Sequence, residues 1–483
     1  MSKSGPMTSA SRGVHLAAFA AAAVLAAGVG HDLLHMPLQV SDSLSLILDA
    51  AVSPSAWSDF HAHLSDVSYF RPMRYATIKV VADLGNGNYA FAYRLFHAAL
   101  VLAFVLLFVR ALEIRDRVML AAAPLALTVF LGIHTFLGTV KEIYPTNHFL
   151  QVAVLAMLAL NLTQSKGGLL VELALLLTFA FAALTLESGL LVWVVIVGAW
   201  MTGMPGVSKR AVVGATLLLG AYAVVRFGLF STGLPTIEER STGFLLGTLE
   251  PAQVRERFGE NLLLFHLYNV VSSALSVLLS EPRSGVFVFV RAIRGDQLAP
   301  RHFIQIGASL FATGMVVAYV VSRFRSGVRR PLTMADRHAS IFALVLAANA
   351  SMSYVYTKDE IMSVAGAFYA LPVFGAAVYF LRTWPERRRS WAATAVVGML
   401  FVAGSSVWAT RAVGVHHVVR SQAFAQRNDW TRLEREWRRD GNWERYAHSA
   451  PLIRALSDQA ISTRVVNPYF EPRWMERVFD INY

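Results

Sequence analysis

The chain has 483 residues, of which 55% are hydrophobic and only 15% are charged, with a mean hydropathy of +0.49. Because an average soluble domain is about 25% charged, this composition excludes a disordered chain, a coiled coil and an ordinary cytoplasmic enzyme, and it predicts an all-α polytopic membrane protein. The net charge of +12 has to be weighed against loop position before it suggests nucleic acid, and the absence of cysteine excludes disulfides, thiolate metal sites and thiol nucleophiles.

Eleven segments are long and apolar enough to be transmembrane helices, which need about 20 residues. The first runs from Val14 to Gly30, and we interpret it as a retained anchor rather than a signal peptide, because it stays apolar to its end without a clear cleavage site. The other ten lie near 89–110, 118–139, 147–163, 168–186, 189–203, 210–230, 303–323, 339–356, 362–381 and 391–410.

Basic residues mark the cytoplasmic loops of such a protein. Here they cluster at the N-terminus and at alternate connections, near 110–117, 166, 209–210, 323–337 and 382–389. This pattern places the N-terminus in the cytoplasm and the long loops 31–88 and 231–302 outside. We therefore expect a transmembrane domain over 1–410, followed by a small extracytoplasmic helical tail over 411–483.

One further apolar segment, 259–280, breaks the alternation of the loops. A single crossing there would put the Arg-rich loop 323–337 on the outer side. We therefore predict that 259–280 lies in the interface or re-enters the bilayer, within one long external excursion. A true crossing paired with a short one through 285–293 preserves the same parity, so the predicted count is 11–13 helices.

The first outer loop, which we expect to form short amphipathic helices, concentrates ionisable residues at the membrane boundary. It carries HDLLH at 31–35, SDFHAH at 58–63 and SYFRPMRY at 68–75. Ionisable groups at that depth are costly, and they therefore point to a functional site. His31 and His35 lie one helical turn apart, a spacing that suits zinc, but polar histidines at a helix end are the simpler interpretation.

The combination of several motifs, rather than any single one, resembles a known family. Asp42 lies in the loop after the first span, Phe70-Arg71-Pro72 follows it, and the next helix opens with YAFAYRLFHAALVLAF. Together with KEIYPTN and LESG, these segments resemble the GT-C membrane glycosyltransferases that use polyprenyl-phosphate sugars, particularly bacterial relatives of the protein O-mannosyltransferases. The resemblance covers residues 14–200.

The chain departs from this family in two respects. Asp42 is followed by Ser43, whereas many relatives carry a paired acidic motif, and the TPR repeats of some relatives are missing. The first departure bears on the choice of catalytic residue, and the second bears on protein acceptors.

The resemblance implies an inverting transferase, in which a carboxylate takes the proton of the acceptor hydroxyl while cations hold the leaving phosphate. Asp42 is the first choice of general base, and Asp32 is the second. Candidate contacts of the donor phosphate are Arg71, Arg74 and Lys141. Candidate substrate-positioning residues are Glu142, Glu187 and His97.

Most of these assignments have a structural alternative. Asp42 is also a good N-cap for a helix over 43–52. Arg71 and Arg74 also suit the phosphates of membrane lipids. Glu187 also suits the end of a helix in a tight hairpin, and Lys141 with Glu142 can form an ion pair that does nothing more. His134 and His148, on apolar helices, are interpreted as hydrogen-bonded core residues.

The implied donor is a polyprenyl-phosphate-linked sugar, and the implied acceptor is a glycan, lipid or protein of the cell envelope. No metal site is predicted, although a divalent cation, Mg²⁺ or Mn²⁺, stays open as a cofactor; membrane lipids are expected partners, and nucleic acid is not. High Arg and Ala usage favours a bacterial inner membrane, with the active site and the C-terminus in the periplasm. Two other classes stay open, a transporter or flippase of a lipid-linked saccharide and a non-catalytic envelope scaffold.

Overall fold

The computed structural model describes residues 9–64, 69–230, 233–239, 242–243, 247–281, 286–325, 331–387, 391–440, 450–465, 467 and 478. These residues are mainly helical, as the composition predicts. Six of the described helices are long and apolar enough to cross a membrane, or eight if each of two bent helix pairs forms one span. The prediction of a polytopic helical membrane protein is confirmed at this level.

The first helix, α1 (Ser9–Leu34), packs along α5 (Tyr89–Ala111). Its buried residues recur every three or four positions, which places them on one face of the helix; they are Ala18, Ala22, Ala26, Val29 and Leu33. Three short helices fill the loop between these two spans, as the sequence predicts, and they are α2 (Ser41–Val52), α3 (Ala56–Ala62) and α4 (Pro72–Gly85). Pro72 at the first turn of α4 suits a helix start, because its missing N–H would have no partner there.

Six helices follow, and the first two form a bent pair. They are α6 (Arg117–Gly132), α7 (His134–Lys141), α8 (His148–Gln164), α9 (Leu169–Thr185), α10 (Leu191–Met201) and α11 (Lys209–Ala223). Ile133 has an extended backbone and breaks the helix between α6 and α7, which are bent by 51°. A 3₁₀ turn (Glu187–Leu190) precedes α10, and α11 ends in a π-helical turn (Val224–Leu229).

The remaining described elements begin with two short antiparallel strands, β1 (Thr242–Gly243) and β2 (Gly247–Thr248). The helices after them are α12 (Pro251–Phe258), α13 (Leu263–Leu279), α14 (Phe287–Arg294), α15 (Pro300–Arg325), α16 (Met334–Ser351), α17 (Ser363–Arg387), α18 (Trp391–Asp440) and α19 (Ala450–Ser462). Each of the eleven segments predicted to span is helical over most of its length.

The apolar segment 259–280 forms α13, which is bent by 93° from α12 and packs against α15, α16 and α17. The eight residues of α14 reach only about 12 Å at 1.5 Å per residue, far less than a hydrocarbon core of about 30 Å. A second crossing through 285–293 is therefore too short to pair with α13. The long external excursion stays the prediction for this segment.

The tail is continuous with the last predicted span, because α18 is one unbroken helix of 50 residues (Trp391–Asp440) that extends past the predicted boundary at 410. On this helix, the Trp430 indole N–H donates to the Leu38 carbonyl at 2.7 Å. Trp430 also shares a hydrophobic cluster with Ile453 and Leu456 from α19 and with Ile47 from α2. The tail therefore packs on the short helices of the first loop.

Candidate functional site

A cavity of about 380 Å³ lies where five connecting segments meet. The segments contribute residues within 69–74, 144–149, 186–188, 235–239 and 352–361. Each of them belongs to, or adjoins, a loop that the distribution of basic residues assigns to the outer side. The grouping of these loops on one common side therefore agrees with the structure.

Arg71 and Glu187 form the central ion pair of this cavity. The Arg71 guanidinium donates from Nε and Nη2 to Glu187 Oε2 at 3.0 and 2.7 Å, and it lies 4.3 Å from the centre of the Tyr69 ring. A second guanidinium, that of Arg226, lies 3.5 Å from Glu187 Oε1 and donates to the Tyr222 hydroxyl at 2.8 Å. Glu187 therefore does more than end a helix, because its carboxylate joins two cations.

Glu187 reaches this position through a tight hairpin. Helix α9 ends at Thr185, Leu186 is extended, and the 3₁₀ turn begins at Glu187. Gly189 in that turn lies directly against α9, so that an added Cβ would come within 2.0 Å of the Ala182 carbonyl oxygen. Glycine is required at this place because any side chain would collide with backbone.

The charge of Glu187, in the turn between two predicted spans, is set by its neighbours. Burial by itself raises the pKa of the carboxyl, but the guanidinium groups of Arg71 and Arg226 outweigh burial and hold the pKa below its ordinary value. Glu187 is therefore ionised at neutral pH, which makes it a good anchor for cations and a weak base.

Arg74 contributes a second buried cation to the cavity. Its guanidinium lies 5.7 Å from the Tyr75 ring and 5.8 Å from the Tyr144 ring. Burial and the neighbouring Arg71 lower the pKa of Arg74 to about 10, so it stays charged at neutral pH. Its Nε makes no hydrogen bond to any residue that the structure describes. A buried cation with an unused donor beside a cavity suits an anionic ligand.

Two residues that we did not place in the site from the sequence also line the cavity. Lys358, in the turn between α16 and α17, lies 3.8 Å from Glu360 Oε2. His148 is buried as predicted, yet its Nδ1 has no hydrogen-bond partner within the described part of the chain, so the interpretation as a satisfied core residue is wrong. Lys358 belongs to the charged TKDE turn between two predicted spans, which was the available signal, whereas His148 carried none.

Lys141 and Glu142 lie at the end of α7, beside the cavity rather than in its lining. The cavity geometry therefore gives no support to Lys141 as a phosphate contact. Glu142 acts on a neighbour instead, because burial and the Glu142 carboxylate together raise the pKa of Glu360 to about 8. Glu360 lies in the turn between two predicted spans, and its Oε2 makes no hydrogen bond to a described residue.

His97 is fully buried in α5 and does not line the cavity. Asn147 donates from Nδ2 to His97 Nε2 at 3.0 Å and to the Glu142 carbonyl at 3.0 Å. His97 thus holds the turn that carries Tyr144 and His148. Its geometry supports positioning of that turn rather than contact with a substrate.

Asp42 lies in the first turn of α2, and its side chain is outside the described part of the structure. The helix begins at Ser41 with Val40 at the N-cap, so the alternative of Asp42 as N-cap is wrong. Ser43 is buried, and its hydroxyl donates to the Ile143 carbonyl at 3.3 Å. The start of α2 therefore lies against the segment that continues into Tyr144 of the cavity.

Asp32 lies away from the cavity, at the end of α1. Its carboxylate accepts hydrogen bonds from His416 Nδ1 at 2.7 Å and from Arg420 Nε at 3.1 Å, and both donors belong to α18. Asp32 therefore ties the first helix to the last long one. Nearby, His35 Nδ1 contacts the His31 carbonyl at 2.8 Å, and no group of three potential metal ligands occurs among the described residues.

Comparisons of the chain with protein-family models, curated proteins and solved structures gave no match. The assignment of a function therefore depends on the residues and the geometry of the chain itself.

Proposed function

We propose that this protein is a membrane glycosyltransferase of GT-C type that moves a sugar from a polyprenyl-phosphate donor to a cell-envelope acceptor on the periplasmic face. The observation that carries the proposal is the convergence of Arg71, Arg74 and Lys358 on one cavity beside the ionised Glu187. In this proposal all eleven predicted segments cross the membrane. Helices α8 and α9 have 17 residues each, the lower limit for a span, and α10 is shorter at 11 residues.

The cations suit the leaving group of this reaction. When the bond between the sugar C1 and the phosphate oxygen breaks, charge develops on the prenyl phosphate, and fixed cations around that oxygen stabilise the transition state. Arg74 offers an unused donor, and Arg71 is held in place by Glu187. Arginine suits this role because its planar guanidinium can donate two hydrogen bonds to phosphate oxygens.

The carboxylate that takes the acceptor proton is proposed to be Asp42. Glu187 is the acidic residue in the lining that we predicted, but two guanidinium groups keep it ionised and therefore weakly basic. The first turn of α2 lies against Ile143, and the next residue, Tyr144, lines the cavity. In the proposed step, the acceptor oxygen attacks C1 with inversion, its proton passes to the carboxylate, and the prenyl phosphate leaves.

The test is transfer by the purified full-length protein in lipid vesicles. A panel of radiolabelled polyprenyl-phosphate sugars is offered together with envelope fractions, and label in each fraction is counted. We expect transfer from one donor class, a loss of about 100-fold or more in Arg74→Gln, and loss of transfer in Asp42→Asn without loss of donor binding. Lys209→Gln, an exposed change on the predicted cytoplasmic side, is the matched control and should keep full activity.

The outcomes separate the function classes. Movement of the labelled donor between leaflets without transfer would identify a flippase. If the protein binds no donor at all, the non-catalytic scaffold is the class that remains. Full activity in Asp42→Asn would remove Asp42 from the role of base while leaving the phosphate contacts to be judged by Arg74→Gln.

A further inference from the structure

A second cavity, of about 220 Å³, lies on the same predicted outer side. It is enclosed by the link between α1 and α2, the start of α5 and the end of α19. None of its lining residues belongs to the first cavity. The Ile143–Tyr144 segment separates the two, because Tyr144 lines the first cavity while its carbonyl faces Arg94 of the second at 3.4 Å.

Arg94 is the charged residue of this second cavity, and its side chain is only 1% exposed. Its contacts are weak, with 3.5 Å to His97 Nδ1 and 3.4–3.5 Å to the carbonyls of Ile143 and Tyr144. Among the described residues, its Nε makes no hydrogen bond and no carboxylate forms an ion pair with it. A buried guanidinium without a counterion is costly, and near a membrane such a group indicates a function.

The rim of the cavity is apolar where α5 leaves it. Phe91 and Leu34 line the cavity and are 54% and 37% exposed. Leu95 and Leu102 continue the same exposed face along α5, at 49% and 39%. Residues four and seven positions apart lie on one face of a helix, so this stripe runs from the cavity mouth into the predicted span.

We propose that this second cavity binds the phosphate headgroup of an anionic lipid, with Arg94 as the counterion of the phosphate and with the apolar chain along the Phe91–Leu102 face of α5. A soluble anion would use Arg94 but would leave the apolar stripe without a role. If the protein is the transferase proposed above, this lipid is the acceptor, and that identification rests on the proposed function.

Binding can be measured at this cavity alone, because the chain has no cysteine. Ser462→Cys introduces a unique thiol at an exposed position of the lining, and it takes a fluorophore. The labelled full-length protein in phosphatidylcholine vesicles is titrated with phosphatidylglycerol that carries a nitroxide on its acyl chain, and quenching is recorded. A parallel titration with nitroxide-labelled phosphatidylcholine, which has no net charge, is the control.

We expect saturable quenching by the anionic lipid, at least tenfold weaker in an added Arg94→Gln and unchanged within twofold in Arg454→Gln, which removes an exposed arginine from the same helix as the label. Equal quenching in Arg94→Gln, or equal quenching by both nitroxide lipids, would overturn the proposal. A saturable change in the fluorescence of the label on adding inorganic phosphate, without quenching by the anionic lipid, would show a site for a soluble anion. That result would also overturn the proposal.

A second variant keeps the test decisive if Arg94→Gln does not fold. Gln459→Trp fills the cavity from α19 while Arg94 stays in place, and it should weaken the quenching to the same extent. These measurements are independent of sugar transfer. Specific quenching without any transferase activity would leave the lipid site standing and remove only its role as the acceptor site.

Discussion

Arg71 and Glu187 lie 116 positions apart in the chain, and each half-buried side chain depends on the other for its main partner. Removing one member leaves a charge with poor solvation, which costs more than the pair itself contributes. The pair thus orients the cation that we assign to the donor phosphate, and it makes the cavity sensitive to loss of either residue.

A double-mutant cycle should reveal this dependence. Arg71→Gln and Glu187→Gln should each lower the thermal stability of the protein, and the double variant should lose less than the sum, with an interaction free energy on the order of 1–3 kcal/mol. Thermal unfolding in detergent measures the effect. Strictly additive losses would show that the two side chains act separately.

The raised pKa of Glu360 leads us to expect that the stability of the protein depends on pH. Its pKa is raised to about 8 by burial and by Glu142, from an ordinary value of 4.5. Between these values the unfolded chain has lost the proton that the folded protein still binds, so stability falls as the pH rises through this range and levels off above pH 8.

Glu360→Gln mimics the protonated carboxyl and should remove this loss. The variant should match the wild type near pH 5 and unfold at a higher temperature above pH 8, as measured by melting curves across that range. Glu256→Gln, an exposed change on α12, is the control for net charge and should run parallel to the wild type. A wild-type curve with the same slope as that of Glu360→Gln would contradict the prediction.

At the scale of elements, the hairpin between α9 and α10 sets the geometry of the Arg71–Glu187 ion pair. Gly189 permits the close approach of the 3₁₀ turn to Ala182, and the turn places Glu187 within reach of Arg71. Packing of one backbone segment on another therefore determines where the carboxylate lies.

Gly189→Ala should force the hairpin apart. We expect destabilisation of about 1–3 kcal/mol or more, as for overpacking, together with loss of donor binding because Glu187 moves. Gly220→Ala, where an added Cβ meets no atom within 4 Å, is the matched control and should be neutral or stabilising by up to about 1 kcal/mol. Melting temperature and donor binding are measured for both variants.

Asp32 joins α1 to α18, and a variant of Asp32 can distinguish this structural role from a catalytic one. Asp32→Asn weakens the hydrogen bonds to His416 and Arg420, so we expect a loss of about 1–3 kcal/mol in stability. The protein that remains folded should keep its transfer rate. A variant with wild-type stability and no transfer would instead restore Asp32 as a candidate base.

For the whole molecule, two separate cavities are lined by loops from opposite predicted sides of the membrane. The first cavity collects loops predicted to be outer, whereas a separate cavity of about 260 Å³ is lined by Arg323, His338 and Arg382 from segments predicted to be cytoplasmic. Loops that share a side in the sequence prediction thus share an end of the helical bundle. Which end faces away from the cytoplasm is a prediction from the positive-inside rule.

Thiol labelling tests this orientation directly, since the chain has no cysteine of its own. Glu256→Cys should react with a membrane-impermeant maleimide in intact spheroplasts, and Lys166→Cys only after permeabilisation, because both positions are exposed but lie on opposite predicted sides. The reverse pattern would invert the topology and place the proposed site in the cytoplasm.

Several residues of the candidate site could be predicted from the sequence, but the residues with which they form contacts could not. Arg71 and Arg74 were chosen from the SYFRPMRY motif of the first outer loop, and Glu187 was chosen from the LESG motif. All three line one cavity. Lys141 was chosen in the same way from the KEIYPTN motif and lies outside the lining, because a motif places a residue in a loop but does not determine which way its side chain points. His148 was misjudged because an apolar helix context does not show whether a ring nitrogen finds a partner.

The sequence by itself determined the helical membrane class, the positions of the helices and the grouping of loops by side, because hydropathy and loop charge act locally along the chain. Only the tertiary structure decided which span ends meet, that Asp32 binds α18 rather than a cavity, and that Arg94 lies buried without an acidic partner among the described residues. Those facts depend on how helices pack around one another, and packing joins residues whose separation in sequence carries no local signal.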